Sequence, residues 1–515
     1  MRKKIRYYRL VWLKHDLPAG LSVFLVALPL CLGIALGSNA PLFSGIIAGI
    51  VGGIVIGALS GSQLSVSGPA AGLTAVVIVA IGKLPSFETF LLAVVICGFF
   101  QIILGFLKAG VLGDYVPNCV IKGMLAAIGL ILILKQVPHL VGYDKNFEGD
   151  HSFIQLDKEN TFSGIATAIN SVAFIAVIIG VISLVFQFLW EKLVPPNSKL
   201  KLIPAPLIVV LIGILISQLA VGSSYELTAD HMVNIPSANS FNEFISFFSF
   251  PDFGNIMNKD VWITGLTLAL VASLETLLSI EAADDLDPYQ RVTNKERELK
   301  AQGVGNMLSG FIGGLPITSV IVRTSANISS GARTKMSSIY HGIFLLLSVA
   351  LIPSLLNHIP KSALAAILIF IGFKLAKPAL FVMYYKKGWD QFLPFTITIL
   401  SILFTDLLTG VVIGIVVGIF FVIRSNFRTS VFVVNDDDKF LFRLRKDVSF
   451  LNKPIIKNRL EKVPANSYVL VDTSKADYID KDVWEVIEDF TKHASLKNIR
   501  VEIKKKKELM EVEEV

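Results

Sequence analysis

The sequence predicts a polytopic α-helical membrane protein of about fourteen spans, two of them half-helices, followed by a small α/β domain. Three observations carry this. The 515 residues are 53% hydrophobic and 17% charged, with a mean hydropathy of +0.66, too little polar surface for a soluble chain of this size. Apolar stretches recur from about residue 17 to residue 424. Two of them are interrupted by Gly, Pro and hydroxyl residues, Gln63 to Gly72 (QLSVSGPAAG) and Gly313 to Arg323 (GGLPITSVIVR). At membrane depth such backbone survives only where it is buried in protein or lines a wet cavity.

The stretches lie at roughly 17–36, 42–60, 66–82, 87–107, 119–138, 168–190, 203–221, 261–280, 299–314, 316–331, 337–356, 361–377, 391–407 and 408–424. Some are shorter than the ~20 residues of a straight crossing. Lys and Arg stay on the cytosolic side of a membrane. The basic N-terminus, Lys108 with Lys122, Lys192 with Lys199 and Lys201, Arg333 with Lys335, Lys386 with Lys387, and Arg424 with Arg428 all fall inside if both termini are cytosolic. The long loops Gly142 to Asn160 and Val221 to Asp260 carry Asp144, Glu148, Asp150, Asp157, Glu226, Asp230 and Asp252 and then face out. The net charge of +7 is therefore read as this asymmetry; no basic patch interleaved with base-stacking aromatics suggests nucleic acid. The first apolar segment lacks a small-residue cleavage site and reads as a retained span in the plasma (inner) membrane.

Cys31, Cys97 and Cys119 lie in or beside spans without a CxxC pair and read as core packing. The seven His residues show no ligand spacing, so no metal site or cofactor is expected. No GxxxxGK[ST] loop supports ATP drive, and no nucleophile–base pair supports an enzyme. After Arg428 the pattern changes. VFVVND and KFLFRL read as strands, LNKPIIKNRLEKV as a helix, SYVLVDTS as a buried strand, DKDVWEVIEDFTKHA as a helix and IRVEIKK as a closing strand, ahead of an acidic tail, ELMEVEEV. The expected division is 1–428, with halves at about 12–221 and 258–428, and 429–515.

The two interruptions carry the chemistry. Pro69 stands where a helix would begin, and Pro316 precedes a second short helix running to about Gly331. Two half-helix N-termini meeting from opposite directions offer free amides and positive dipole ends, for which an anion is the natural ligand. Paired breaks in matching positions of two halves are the mark of a transporter's binding site. The candidate substrate-binding residues are Ser67, Gly68, Pro69, Ala70, Ala71, Thr318, Ser319, Val320, Ile321 and Arg323. A guanidinium inside the membrane costs about 2.5–3.5 kcal/mol on insertion scales, so Arg323 either pairs structurally or sets a positive potential for the anion. Glu275 and Ser279, four apart on one helix face, are the candidate coupling-ion residues. Glu275 can carry a proton or help hold Na+, and pairing with Arg323 is the structural alternative. Glu281, Asp284, Asp285 and Asp287 read as a solvated cytosolic cap. Gly45, Gly49, Gly52, Gly53 and Gly57 read as a face for close, slidable packing.

SVSGPAAGLT, SLETLLSIEAAD, LPITSVIVRTSANISSGARTKMS and PANSYVLVDTSKADYIDKDVWEVIEDF together resemble the SulP family of anion transporters, the solute carrier 26 group in animals. The most specific part is RT-x-x-N-x-x-x-G-x-RT, from Arg323 to Thr334. The resemblance implies a 7+7 inverted repeat with core and gate domains, a homodimer and a C-terminal STAS domain, here short. It implies small inorganic anion substrates such as sulfate or bicarbonate, held between the third and tenth spans. It also implies that Glu275 couples transport to H+ or Na+ and that Ser279 matches a sodium-site hydroxyl. Related bicarbonate carriers commonly have Asp at the position of Glu275, which tips the expectation toward protons. Asp472-Thr473-Ser474 matches the region phosphorylated in anti-sigma-factor antagonists, where a turn is expected. The expected function is secondary active transport by an elevator-like motion. The alternatives are an uncoupled exchanger or channel of the same family, against which Glu275 argues, and a neutral-solute permease of nucleobase type, against which Arg323 argues.

Overall fold

The computed structural model describes residues 11–111, 116–145, 153, 160–194, 203–223, 225–235 and 241–505. The N-terminal residues 1–10, Lys199, Lys201, Glu148, Asp150, Asp157, His151 and the acidic tail lie outside these residues, as do the side chains of Arg424 and Arg428. Two compact units result, Met1–Ile415 and Val416–Val515, with the division falling inside a helix, Leu407–Ser430.

In the first unit every apolar stretch becomes a helix or a strand followed by a helix. The order is α1 (Leu13–Gly37), α2 (Leu42–Leu59), β1 (Ser67–Pro69), α3 (Thr74–Lys83), α4 (Phe87–Phe106), α5 (Asn118–Leu140), α6 (Thr161–Asn170), α7 (Phe174–Leu193) and α8 (Ala205–Leu219). It continues with α9 (Lys259–Leu286), α10 (Lys295–Phe311), β2 (Ile317–Ser319), α11 (Ile321–Ser329), α12 (Met336–Leu351), α13 (Lys361–Leu375), α14 (Pro378–Lys387), α15 (Trp389–Phe404) and α16 (Leu407–Ser430). Among the described residues seven helical segments are long and apolar enough to cross a membrane, and shorter apolar helices accompany them.

Without a hydrophobic drive between helices in lipid, close approach of small residues supplies the packing. Gly98 of α4 and Gly303 of α10 face each other so closely that a Cβ on either would lie within 2.6 Å of the other's carbonyl oxygen. The glycine-rich face of α2 makes the close approach expected of it. A Cβ on Gly45 would meet the Cys31 carbonyl oxygen at 2.0 Å, and one on Gly52 would meet the Ser67 carbonyl oxygen at 2.3 Å. The stretch Gly52–Ile56 is a π-helical turn where α2 passes β1.

The acids at the end of α9 are bonded, not merely solvated. Asp284 accepts from the Thr293 amide (2.7 Å) and hydroxyl (2.6 Å), Arg291 pairs with Asp287 (2.6 Å), Lys295 pairs with Glu281 (2.5 Å) and Lys122 with Asp285. Residues 291–295 thus supply the partners of Asp284, Asp287 and Glu281, and α5 supplies that of Asp285. Buried Asp16 accepts from the amides of Arg333 (2.7 Å) and Thr334 (3.0 Å) and from the Thr334 hydroxyl (2.5 Å), tying α1 to the RT end of the motif. At the end of α5, His139 donates through Nδ1 to one oxygen of Asp144 (2.6 Å), and His231, after α8, donates through Nδ1 to the other (2.8 Å). Burial pushes this carboxyl up, but the two histidine bonds outweigh it and hold it down at about 2.

The second unit carries a four-stranded sheet in the order β3 (Val431–Asp436), β4 (Lys439–Val448), β5 (Tyr468–Ile479) and β6 (Arg500–Lys504), with α17 (Lys453–Glu461) and α18 (Lys481–Ala494). β3 and β4 are antiparallel; β4, β5 and β6 run parallel. Asp472-Thr473-Ser474, expected as a turn, lies inside β5, opposite a register shift between Arg443 and Arg445. Hydrogen bonds from the Ser474 amide and hydroxyl to Asp472, and the Asp472–Arg443 pair at 3.0 Å, mimic a local turn without breaking the strand.

Candidate anion site

The two interruptions meet. β1 and β2 pair antiparallel with Ser67 opposite Ser319, Gly68 opposite Thr318 and Pro69 opposite Ile317. The pairing extends to the Val320 amide on the Val66 carbonyl (3.0 Å) and to the Ser65 and Ser319 hydroxyls at 2.6 Å. α3 and α11 leave this antiparallel pair at opposite ends, and the first turns of both line one cavity. Pro69 stands within the strand pair rather than at the first helical position; the helical turn starts at Ala71 and α3 proper at Thr74. Pairing with β2 holds residues 67–69 extended and postpones the helix. Neither half-helix start, at Ala70 or Val320, receives a side-chain cap, which leaves first-turn amides available to a ligand.

A cavity of about 90 Å³ lies at these starts. Ala71, Val320, Ile321, Arg323, Glu275 and Ser279 line it, opposite Leu30, Ile34, Ile128 and Ile131. That is room for a few waters or one small polyatomic ion. Ser67, Gly68, Pro69, Thr318 and Ser319 form the strand wall behind the lining, with Ala70 at its end.

Arg323 falls in the first turn of α11 and is wholly buried. Its Nη2 donates to Cys31 Sγ (3.3 Å) and to the Pro69 carbonyl (3.4 Å), while Nε and Nη1 have no partner among the described residues. Glu275 Oε2 is also buried without a partner among the described residues. Among the described residues Glu275 and Arg323 form no ion pair with each other, so the structural-pairing alternative is not what the fold adopts. A carboxyl group and a guanidinium thus face one small cavity separately. A buried guanidinium with idle donors is the costly arrangement that an anion relieves.

Sequence reading missed several contributors. Asp406 and Leu407, at the turn between α15 and α16, also line the cavity. Gln101, Thr276, Gln302 and Asn306 bond to or around the strand pair, and His341 of α12 is fully buried with neither ring nitrogen bonded. The signal was present: carboxamides at 302 and 306, four apart inside an apolar stretch, are as conspicuous in a membrane helix as Glu275.

A family model described as the Sulfate permease family matches residues 13–393. YvdB of Bacillus subtilis (strain 168) is 28% identical over 438 residues, covering 83% of this chain and 77% of YvdB. The bicarbonate transporter BicA of Picosynechococcus is 25% identical over 369 residues, 70% of this chain and 61% of BicA. A solved structure described as the overall structure of SLC26A9 superposes with a TM-score of 0.65 at 17% identity, over 96% of this chain and 84% of that one, which shows a shared fold through both units. The chain therefore belongs to the sulfate permease family, a multi-pass membrane transporter rather than an enzyme.

Proposed function

We propose that this protein is a secondary active transporter of small inorganic anions of the sulfate or bicarbonate class. The anion sits in the cavity between the first turns of α3 and α11, with Arg323 supplying the positive potential. The observation that carries this reading is Arg323 itself: a fully buried guanidinium, two of whose nitrogens lack partners, beside two uncapped helix starts. A neutral solute would leave that charge uncompensated. A relative named as a bicarbonate transporter supports the substrate class.

Glu275 and Ser279 share the cavity without being bonded to Arg323, which supports a coupling role for the carboxylate, to H+ or to Na+. The protein works as an elevator in a homodimer in the plasma membrane, with both termini cytosolic. In this motion the half-helices and their strand pair travel as one body against helices such as α5, which supplies the apolar side of the cavity. The strand pair supports that division because it binds the two half-helices to each other.

Purified protein in liposomes, given radiolabelled sulfate and bicarbonate under separately imposed pH and Na+ gradients, tests this. Saturable uptake of at least one anion, concentrated by one of the gradients, is expected. Uptake of neither anion overturns the substrate class, and uptake indifferent to both gradients overturns coupling in favour of exchange.

A further inference from the structure

We propose that Gln302 and Asn306 of α10 are positioning residues that set the anion preference of the site through the β1–β2 pair; the inference rests on the anion-transport reading above. They stand one turn apart, and each grips one strand. Asn306 Oδ1 accepts from the Ile317 amide at 2.6 Å, and its Nδ2 donates to the Ile317 carbonyl at 2.9 Å. Ile317 lies opposite Pro69. The pair is a non-hydrogen-bonded one, as the Val320 amide on Val66 and the Ser319 amide on Thr276 show by alternation, so the Ile317 amide and carbonyl point away from β1 and the Asn306 carboxamide satisfies both. β2 is therefore registered on α10 as well as on β1.

Gln302 Nε2 donates to Ser67 Oγ at 2.7 Å and to Glu298 Oε1 at 2.9 Å. Glu298 in turn accepts from the Gly61 amide (2.9 Å) and the Ser60 hydroxyl, which fixes which end of the Gln302 amide faces Ser67. Asn306 Nδ2 also reaches Gln101 Oε1 at 2.7 Å, and Gln101 Nε2 reaches Ser273 Oγ at 3.4 Å, two residues before Glu275. The Ser319 amide donates to Thr276 Oγ1 at 3.3 Å on the same helix. All these side chains are buried. None of the carboxamides lines the cavity. They act on the anion by fixing where the first-turn amides of α3 and α11 point. A slip of a fraction of an ångström between β1 and β2 changes the spacing of those amides, and so discriminates a tetrahedral from a planar anion.

Asn306→Asp keeps the shape and replaces the donor with an oxygen facing two acceptors, the Ile317 carbonyl and Gln101 Oε1. The expected result is a rise in half-saturation of about tenfold or more, with the maximal rate changed far less. The sulfate-to-bicarbonate preference should shift at the same time. Gln302→Leu, which frees Ser67, is read in the same assay should the Asp variant fail to reach the membrane folded, as judged by gel filtration and melting. Folded variants with wild-type half-saturation and an unaltered anion ratio overturn the inference, as does an equal fall in maximal rate for every anion. Wild type runs alongside. If it carries no anion, the transport reading falls and this one with it; if it carries anions and the variants match it, this inference falls alone.

Discussion

The two half-helices are built from the same plan and filled differently. The second brings charge: Arg323 in the first turn of α11, with the Glu275 helix bonded to β2 through Thr276. The first brings emptiness. A Cβ on Gly68 would lie 1.8 Å from Arg323 Nη1, and one on Gly72 would lie 2.8 Å from Glu275 Oε1. The glycines of the first break are thus the space into which the second half's guanidinium and α9's carboxylate project. The two breaks are thus unlike in what they bring to one cavity, the second a guanidinium and the first room for it.

That comparison breaks most severely at Gly68. Gly68→Ala must push Arg323 from its seat, and gradient-driven anion uptake in liposomes should fall roughly 100-fold or more, as when a buried charge loses its setting. Activity within a fewfold of wild type would mean that the seat is not needed. Glu275→Gln should come next, removing the titratable group but little volume. Concentrative uptake disappears while anion exchange continues; unchanged concentrative uptake would refute the coupling role.

Gly72→Ala tests the other contact and should cost less, a few-fold in rate, because the carboxylate end of Glu275 can swing where the seated guanidinium cannot. A larger loss than at Gly68 would invert the account. The smallest effect is outside the site, at the His139–Asp144–His231 clasp. Its carboxyl is held below the ordinary value of 3.8, so the clasp contributes fully above pH 4 and loses its contribution as pH falls toward about 2. Asp144→Asn should lower the melting temperature by a few degrees at pH 5, with the gap narrowing as pH falls toward about 2. A gap independent of pH would show that the charge of Asp144 does nothing for the fold.

Much of this was legible before the fold, for physical reasons that also explain what was not. Hydropathy marks every span because lipid exposure demands apolar faces. The two breaks announce themselves because Gly and Pro at depth must be satisfied by neighbours. Arg323 and Glu275 stand out because charge in a membrane is costly. The strand pairing of residues 67–69 with 317–319 was hidden, since three-residue strands have no periodicity and their partner lies in the other half of the chain. For the same reason Pro69 was expected to start a helix. The cap at the end of α9 was misread because Thr293, Arg291 and Lys295 become its partners only when the chain folds back.

The proposed anion is held beside Arg323 at the two helix starts. Equilibrium binding of sulfate and of bicarbonate to the purified protein, compared with Arg323→Ala of matched folding, tests it most directly. The account predicts saturable binding of at least one anion by wild type and a loss of about 100-fold or more in the variant, roughly 2.7 kcal/mol. Equal affinity in the two proteins would contradict it.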